Sequence, residues 1–116
     1  LDRNGDAVKG LVRAINRAAK DMIADPAGSV AAVMKREPLL NEKVEIERTV
    51  ATLRMEMNHP EIAAIGLGDV DDERLKRAID MVVEANGLEN TPDPSAVFTD
   101  AYLPPLSERP TSVIKQ

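Results

Sequence analysis

Cysteine is absent from this 116-residue chain, and aromatic residues are nearly so. Without a thiol the chain can form no disulfide framework, thiolate nucleophile or sulfur-ligated metal site, although the redox compartment stays open. The aromatic residues are a single Phe98 and a single Tyr102, so a core must be built from Leu, Ile, Val, Met and Ala. A chain of this length has room for one small core.

Negative charge exceeds positive charge in this chain, and the formal net charge is −5. Binding to nucleic acid needs a basic face that releases counterions from phosphates. We therefore expect no nucleic-acid partner, and an anionic membrane surface is disfavoured for the same reason. No apolar run approaches the roughly 20 residues of a membrane span, so no membrane insertion is expected. The chain starts at Leu1 in polar sequence without a signal-peptide pattern, which favours a segment cut from a longer protein.

Apolar residues recur at helical spacing between Asp6 and Ala24, which predicts a strongly amphipathic first helix. Its apolar stripe consists of Val8, Leu11, Val12, Ile15, Ala18, Ala19, Met22 and Ile23. Another face carries Lys9, Arg13, Arg17 and Lys20. These cations could form a basic stripe for an anionic partner, but the acidic net charge favours a solvated face.

The dipeptide Asp25-Pro26 predicts that two helices meet at a corner without a loop. Pro26 disfavours helical geometry at Asp25 and suits the first turn of a new helix, whose amides the Asp25 side chain can cap. The second helix is predicted to bury Ala27, Val30, Ala31 and Met34 and to end before Pro38. Leu39 and Leu40 are expected to pack into the junction that follows.

Two further helices are predicted from caps and apolar spacing. Asn41 caps a third helix that reaches about Met57, with a stripe of Ile46, Val50, Leu53 and Met57. After a break at Asn58-His59-Pro60, residues 61–65 are expected to form one irregular helical turn. Gly66 and Gly68 then allow a turn with positive φ, and Asp71 caps a fourth helix that Gly87 and Leu88 end in a Schellman motif. The stripe of this helix consists of Leu75, Ala78, Ile79, Val82 and Val83.

The remaining residues carry weaker patterns. Thr91–Pro94 should be a turn, Ser95–Thr99 a short helical turn and Asp100–Pro105 extended. Residues 106–116 are polar and expected to be disordered unless they dock on another surface. The predicted fold class is all-α, with about four helices in residues 1–105 and an extended tail.

Several short motifs resemble functional sites, but none has the residues that the chemistry needs. Gly66-Leu67-Gly68 lacks the third glycine of a dinucleotide loop and the lysine of a Walker loop. The run from Asp69 to Glu73 does not continue as a calcium loop. His59 has no cysteine or second histidine as partner, and the five methionines are interpreted as adaptable core filler. No catalytic, cofactor-binding or metal-ligating residue is therefore assigned.

Three stretches in order resemble the C-terminal part of bacterial ABC-transporter solute-binding proteins. They are VKGLVRAINRAAKDMIADPAGSVAAVMKREP, GLGDVDDERLKRAIDMVVEANGL and DPSAVFTDAYLPP. The most similar group is the nitrate/sulfonate/taurine and thiamine-pyrimidine class, whose helix–Asp-Pro–helix corner, Gly-x-Gly-Asp-Val-Asp segment and closing Phe-Thr-Asp-x-x-Leu-Pro come in this order. The resemblance covers about Ala7 to Pro105.

The resemblance implies a two-lobed α/β periplasmic-binding-protein fold of which this chain is the helical C-terminal segment. It implies that the missing N-terminal lobes hold both sheets and most of the ligand cleft. The whole protein would bind a small solute in the periplasm and present it to an ABC permease, without being an enzyme and without a cofactor. The ligand-binding residues and the solute, among sulfonates, taurine, nitrate and thiamine pyrimidine precursors, stay open.

Two alternatives remain at the level of sequence. The chain could be a stand-alone helical interaction module whose apolar stripes exceed what four helices can bury, and either interpretation predicts self-association. It could also belong with fungal pyrimidine-synthesising enzymes that resemble this class and use a cysteine-rich iron site. The absence of cysteine favours transport over synthesis.

Overall fold

The computed structural model describes residues 4–113, which fold into helices and turns without a strand. The six α-helices of this range are α1 (Gly5–Ala24), α2 (Pro26–Met34), α3 (Glu42–Met55), α4 (Ile62–Ile65), α5 (Asp72–Asn86) and α6 (Pro94–Val97). A short 3-10 helix follows at Leu106–Glu108. The all-α prediction is confirmed, and the four predicted helices correspond to α1, α2, α3 and α5.

The corner between α1 and α2 is built by one residue, as predicted. The Asp25 amide donates to the Asp21 carbonyl at 2.9 Å and so completes the last turn of α1. The Asp25 carboxylate accepts a hydrogen bond from the Gly28 amide at 2.9 Å, and Pro26 occupies the first position of α2. The two helices therefore share Asp25 and change direction within a single residue.

Loss of this cap has a measurable expected cost. Replacing Asp25 by alanine should lower the free energy of unfolding by about 1 kcal/mol, because the first amides of α2 lose their acceptor. Urea denaturation followed by circular dichroism measures the change. Asp21→Ala, an exposed substitution inside α1 that removes no cap, should stay within about 0.5 kcal/mol of the wild type. Equal losses in the two variants would contradict the capping role.

The ends of α5 also follow the prediction. Gly66 and Gly68 have φ values of 74° and 90°, and the Asp71 carboxylate accepts from the Arg74 amide at 3.0 Å. At the other end Gly87 has φ 60°, and the Leu88 amide donates to the Val83 carbonyl at 3.0 Å. This bond is the one that defines a Schellman motif.

The helices pack in two groups rather than around one centre. α2 packs against α1 and α3, whereas α5 packs against α6. The core cluster lies where the ends of α3 and α4 meet the tail, and consists of Leu53, Ile62 and Val113, surrounded by Met22, Ile23, Met57 and Leu67. No side chain of the described range is completely buried. The core is thus small and sits at one end of α3.

Residues 106–113 dock on the helices, which is the condition under which the tail was expected to be ordered. The Leu67 amide donates to the Pro110 carbonyl at 2.8 Å, and Val113 is buried in the core cluster. The tail is ordered because it supplies apolar surface to a core that the helices alone do not close. The last part of the prediction, residues 114–116, lies outside the described residues.

Two smaller expectations also fail. Leu39 is 98% exposed and Leu40 is exposed, so neither packs into the junction between α2 and α3. The reason is that α2 and α3 pack directly on each other, which leaves the connecting turn outside. Asp100–Pro105 is not extended throughout, because the Leu103 amide donates to the Asp100 carbonyl at 2.8 Å and closes a turn.

The molecule exposes more surface than a closed domain of its mass. Its accessible surface is 8688 Å², whereas about 6,200 Å² is typical of a folded monomer of this mass. Its radius of gyration is 17.0 Å, compared with about 13 Å for a compact domain of this length. The excess surface means that helical faces suited to burial lie open.

Candidate functional site

The observed burial differs most from the predicted burial on the outer face of α1. The structure buries Asn16 and Ala19 and half-buries Val12, a line that is rotated away from the centre of the predicted stripe. Leu11 and Ile15 are consequently 62% and 58% exposed. With Ala14 and Ala18 they form one exposed apolar strip, because residues three and four apart share a helix face. We call these four residues the α1 face.

Asn16 is buried on the inward side of α1, where apolar residues were expected. Its Nδ2 donates to the Val12 carbonyl at 3.0 Å, whereas its buried Oδ1 has no hydrogen-bond partner. An unpaired buried acceptor costs free energy. The inward side of α1 is therefore less favourable for burial than the side left open.

Two of the four cations on the basic face of α1, which was interpreted as a solvated face, hold the tail. Arg13 Nε lies 2.6 Å from Glu108 Oε2, and Lys20 Nζ donates to the Ser107 carbonyl at 2.9 Å. Lys9 and Arg17 are exposed, and within residues 4–113 neither forms an ion pair. Half of the stripe thus has an internal structural use, and the other half is a solvated face.

A second apolar surface lies between α5 and the segment that leads into α6. This groove has a volume of about 260 Å³. Its lining is entirely apolar and consists of Leu75, Ala78, Ile79, Val82, Val83, Leu88, Pro92 and Val97. Val82, Leu88 and Val97 are each more than half exposed. The groove, here called the α5 groove, was not predicted, because no pattern in the sequence indicates that Pro92 and Val97 return along α5.

An acidic cleft adjoins the α5 groove and shares Leu75 with it. The cleft is open, has a volume of about 580 Å³ and lies between the start of α5 and α6. Its charged lining consists of Asp69, Asp72, Glu73, Asp93, Asp100 and a single cation, Lys76. The Ser95 hydroxyl and amide donate to Asp93 and lower the pKa of that carboxyl, which keeps it ionised. Such a cleft repels sulfonate and nitrate.

The glycine turn before α5 is a docking point for the tail and not a phosphate loop. Arg109 Nη1 donates to Asp69 Oδ2 at 3.3 Å, and the Arg109 side chain is only 9% exposed. An ideal Cβ on Gly66 would lie 2.7 Å from Leu106 Cδ1, so the absence of a side chain there admits the tail. Sequence patterns gave no sign of this ion pair, because its partners are 40 residues apart.

The other residues considered as sites have structural roles. Asp71 caps α5, and no group of His, Asp or Glu within residues 4–113 is arranged to hold a metal ion. His59 Nδ1 lies 3.4 Å from Glu61 Oε2, and Arg74 Nη2 donates to Glu61 Oε1 at 2.9 Å. The bond from Arg74 lowers the pKa of Glu61, with a smaller contribution from His59, although partial desolvation opposes it.

This shift predicts a pH dependence of stability. Because the pKa of Glu61 is lower in the folded state, its contribution is present above the unfolded pKa and is lost as the pH falls through the folded pKa. Between about pH 5 and pH 3 the free energy of unfolding should fall less steeply in Glu61→Gln than in the wild type. Urea denaturation at each pH measures the two slopes. Glu56→Gln, at an exposed glutamate without an ion pair among the described residues, should keep the wild-type slope, and parallel slopes for all three proteins would contradict the role of Glu61.

Within residues 4–113 no helix is both long and apolar enough to cross a membrane. No protein-family model matches the chain, and no similar curated protein or solved structure was found.

Proposed function

We propose that this chain is a structural helical layer of a solute-binding protein that serves an ABC importer. The observation that supports it is the α1 face, on which Leu11 and Ile15 lie exposed along a helix. A helix buries its apolar stripe against another layer, and a β-sheet is the layer that such helices cover in two-lobed α/β proteins. Three sequence stretches resemble solute-binding proteins and come in the same order as in those proteins. This resemblance indicates that the covered layer is a sheet of such a protein.

The clefts of this chain fit a supporting role better than a ligand-binding role. The acidic cleft disfavours sulfonate and nitrate, and the α5 groove offers no polar group to orient a small solute. Under this proposal the solute of the whole protein, here called the parent, binds in the lobes that precede this chain. Closure of those lobes in the periplasm would present the solute to a membrane permease, with no catalytic step.

The test is made on the parent, expressed from the reading frame that contains this chain. Isothermal titration calorimetry with taurine, an alkanesulfonate, nitrate and an aminopyrimidine precursor of thiamine should give saturable binding of one class of solute. Ile15→Glu in the parent should lower its thermal midpoint, because the charge would be buried under the sheet. A parent that binds none of the four solutes, or whose midpoint is unchanged by Ile15→Glu, would overturn the proposal.

The α5 groove favours a second candidate, a stand-alone helical interaction module. An apolar groove flanked by polar residues is typical of a surface that accepts a helix from another protein. The two candidates differ in the sequence upstream of Leu1. A signal peptide followed by two lobes rich in strands and helices supports transport, whereas a start codon nearby supports the module.

A further inference from the structure

We propose that two copies of this chain pair through a reciprocal contact, in which the α1 face of each copy docks in the α5 groove of the other. The proposal concerns the 116-residue chain on its own and does not rest on the proposed parent. In the isolated chain, where no sheet covers the α1 face, it assigns one occupant to both open apolar surfaces, since a two-fold axis makes the same contact twice.

The shapes of the two surfaces support the pairing. The α1 face is a convex helical strip in which the larger Leu11 and Ile15 alternate with the smaller Ala14 and Ala18, so that another helix can approach closely. The α5 groove is concave and open, with Val82 and Val97 on its exposed lining. An amphipathic helix lying in an apolar groove is a common mode of recognition, and its anchors come at three- and four-residue spacing.

Charge complementarity selects a second copy of this chain as the occupant. Residues 69–100, which form the groove and the adjoining acidic cleft, contain nine carboxylates and three cations. Helix α1 contains four cations and two carboxylates. Lys9 and Arg17 form no ion pair within the described range, so both are available to the carboxylates of a partner. Complementary potentials of this kind fix the partner and the orientation of a contact.

The surface available is large enough for a stable dimer. The accessible surface of 8688 Å² exceeds the value typical of this mass by about 2,500 Å². A standard protein interface buries about 800 Å² on each partner. The excess is therefore larger than the area that each copy would bury in a standard dimer.

Sedimentation equilibrium over micromolar concentrations measures the dissociation constant directly. The wild type should sediment as a species of twice the 12.6-kDa chain mass. Leu11→Ser and Val82→Ser should each raise the dissociation constant at least tenfold, because both side chains are exposed in the monomer and would be buried in the dimer. Met55→Ser, at an exposed position on α3 outside the contact, should leave it unchanged. Circular dichroism confirms that the variants keep their helices.

A charge-exchange experiment identifies the partner surfaces. Lys9→Glu/Arg17→Glu reverses the cations of α1, and Asp72→Lys/Asp100→Lys reverses two exposed carboxylates of the cleft. Each double variant alone should be monomeric, because both contacts of its homodimer set like charges together. An equimolar mixture should form a heterodimer, since both of its contacts then join opposite charges.

Two outcomes would overturn the proposal. One is a wild-type chain that remains monomeric at about 100 µM, a concentration well above the dissociation constants of weak dimers. The other is a dimer that Leu11→Ser and Val82→Ser do not weaken or whose charge-reversed variants do not recombine, which would place the interface on another face. Solute binding by the parent is independent of either result.

Discussion

Gly66→Ala should lower the free energy of unfolding by about 3 kcal/mol, because it combines backbone strain with a steric conflict. Gly66 has φ 74° and ψ 166°, a conformation that residues with a side chain almost never adopt. The added Cβ would also lie 2.7 Å from Leu106 Cδ1, so the 3-10 helix would have to move. The tail would then no longer pack against the glycine turn, and urea denaturation should show the lower free energy of unfolding.

Two other glycines serve as matched controls. Gly87 has φ 60° but no atom within 4 Å of an added Cβ, so Gly87→Ala should cost only about 1 kcal/mol from backbone strain. Gly10 lies inside α1 with open space around it, so Gly10→Ala should stabilise the protein by about 0.5 kcal/mol. If Gly66→Ala costs no more than Gly87→Ala, the tail does not pack on the turn as described.

Leu53→Ala should lower the free energy of unfolding by about 3 kcal/mol, which would be a large part of the stability of a chain with so small a core. Leu53 is 4% exposed and forms the core cluster with Ile62 and Val113, which come from α4 and the tail. Its truncation would leave a cavity at the point where these three segments meet. The same substitution should increase hydrogen exchange of the Leu67 amide, which bonds to the tail.

Met55→Ala is the control for this substitution, because Met55 lies on the same helix and is 83% exposed. It should change the free energy of unfolding by less than about 0.5 kcal/mol. Comparable losses at the two positions would mean that Leu53 does not lie in a core.

Helix boundaries were predictable from sequence where a single residue type decides the backbone. Asp25 before Pro26, Asp71 before α5 and Gly87 after it act within one turn of helix, so local chemistry suffices to place them. The corresponding hydrogen bonds are all present. The same reasoning located the glycine turn, but it did not show that the tail packs against this turn.

Burial was less predictable than secondary structure, because it depends on which helices meet. The apolar stripe of α1 is wider than the surface available to cover it, and spacing alone cannot say which side is left open. Asn16 was not expected inside, and Ile15 was not expected outside. The tail was missed for a related reason, since Val113 lies in a stretch without a periodic apolar pattern and is buried through contacts with residues distant in sequence, Leu53 and Ile62.

The candidate surfaces were predictable only in outline. Sequence reasoning expected more apolar stripe than four helices can bury, and the α1 face fits that expectation. The α5 groove requires the return of Pro92 and Val97 along α5, which no periodic pattern indicates. The proposed function therefore rests on the sequence resemblance together with the exposed apolar surfaces.

The central claim is that this chain folds with its apolar helical faces open. Small-angle X-ray scattering of Leu11→Ser/Val82→Ser, which should remain monomeric, tests it most directly. The account predicts a radius of gyration near the 17.0 Å of the structure. A value near about 13 Å, typical of a compact domain of this length, would show that the helices close on one another and would contradict the account.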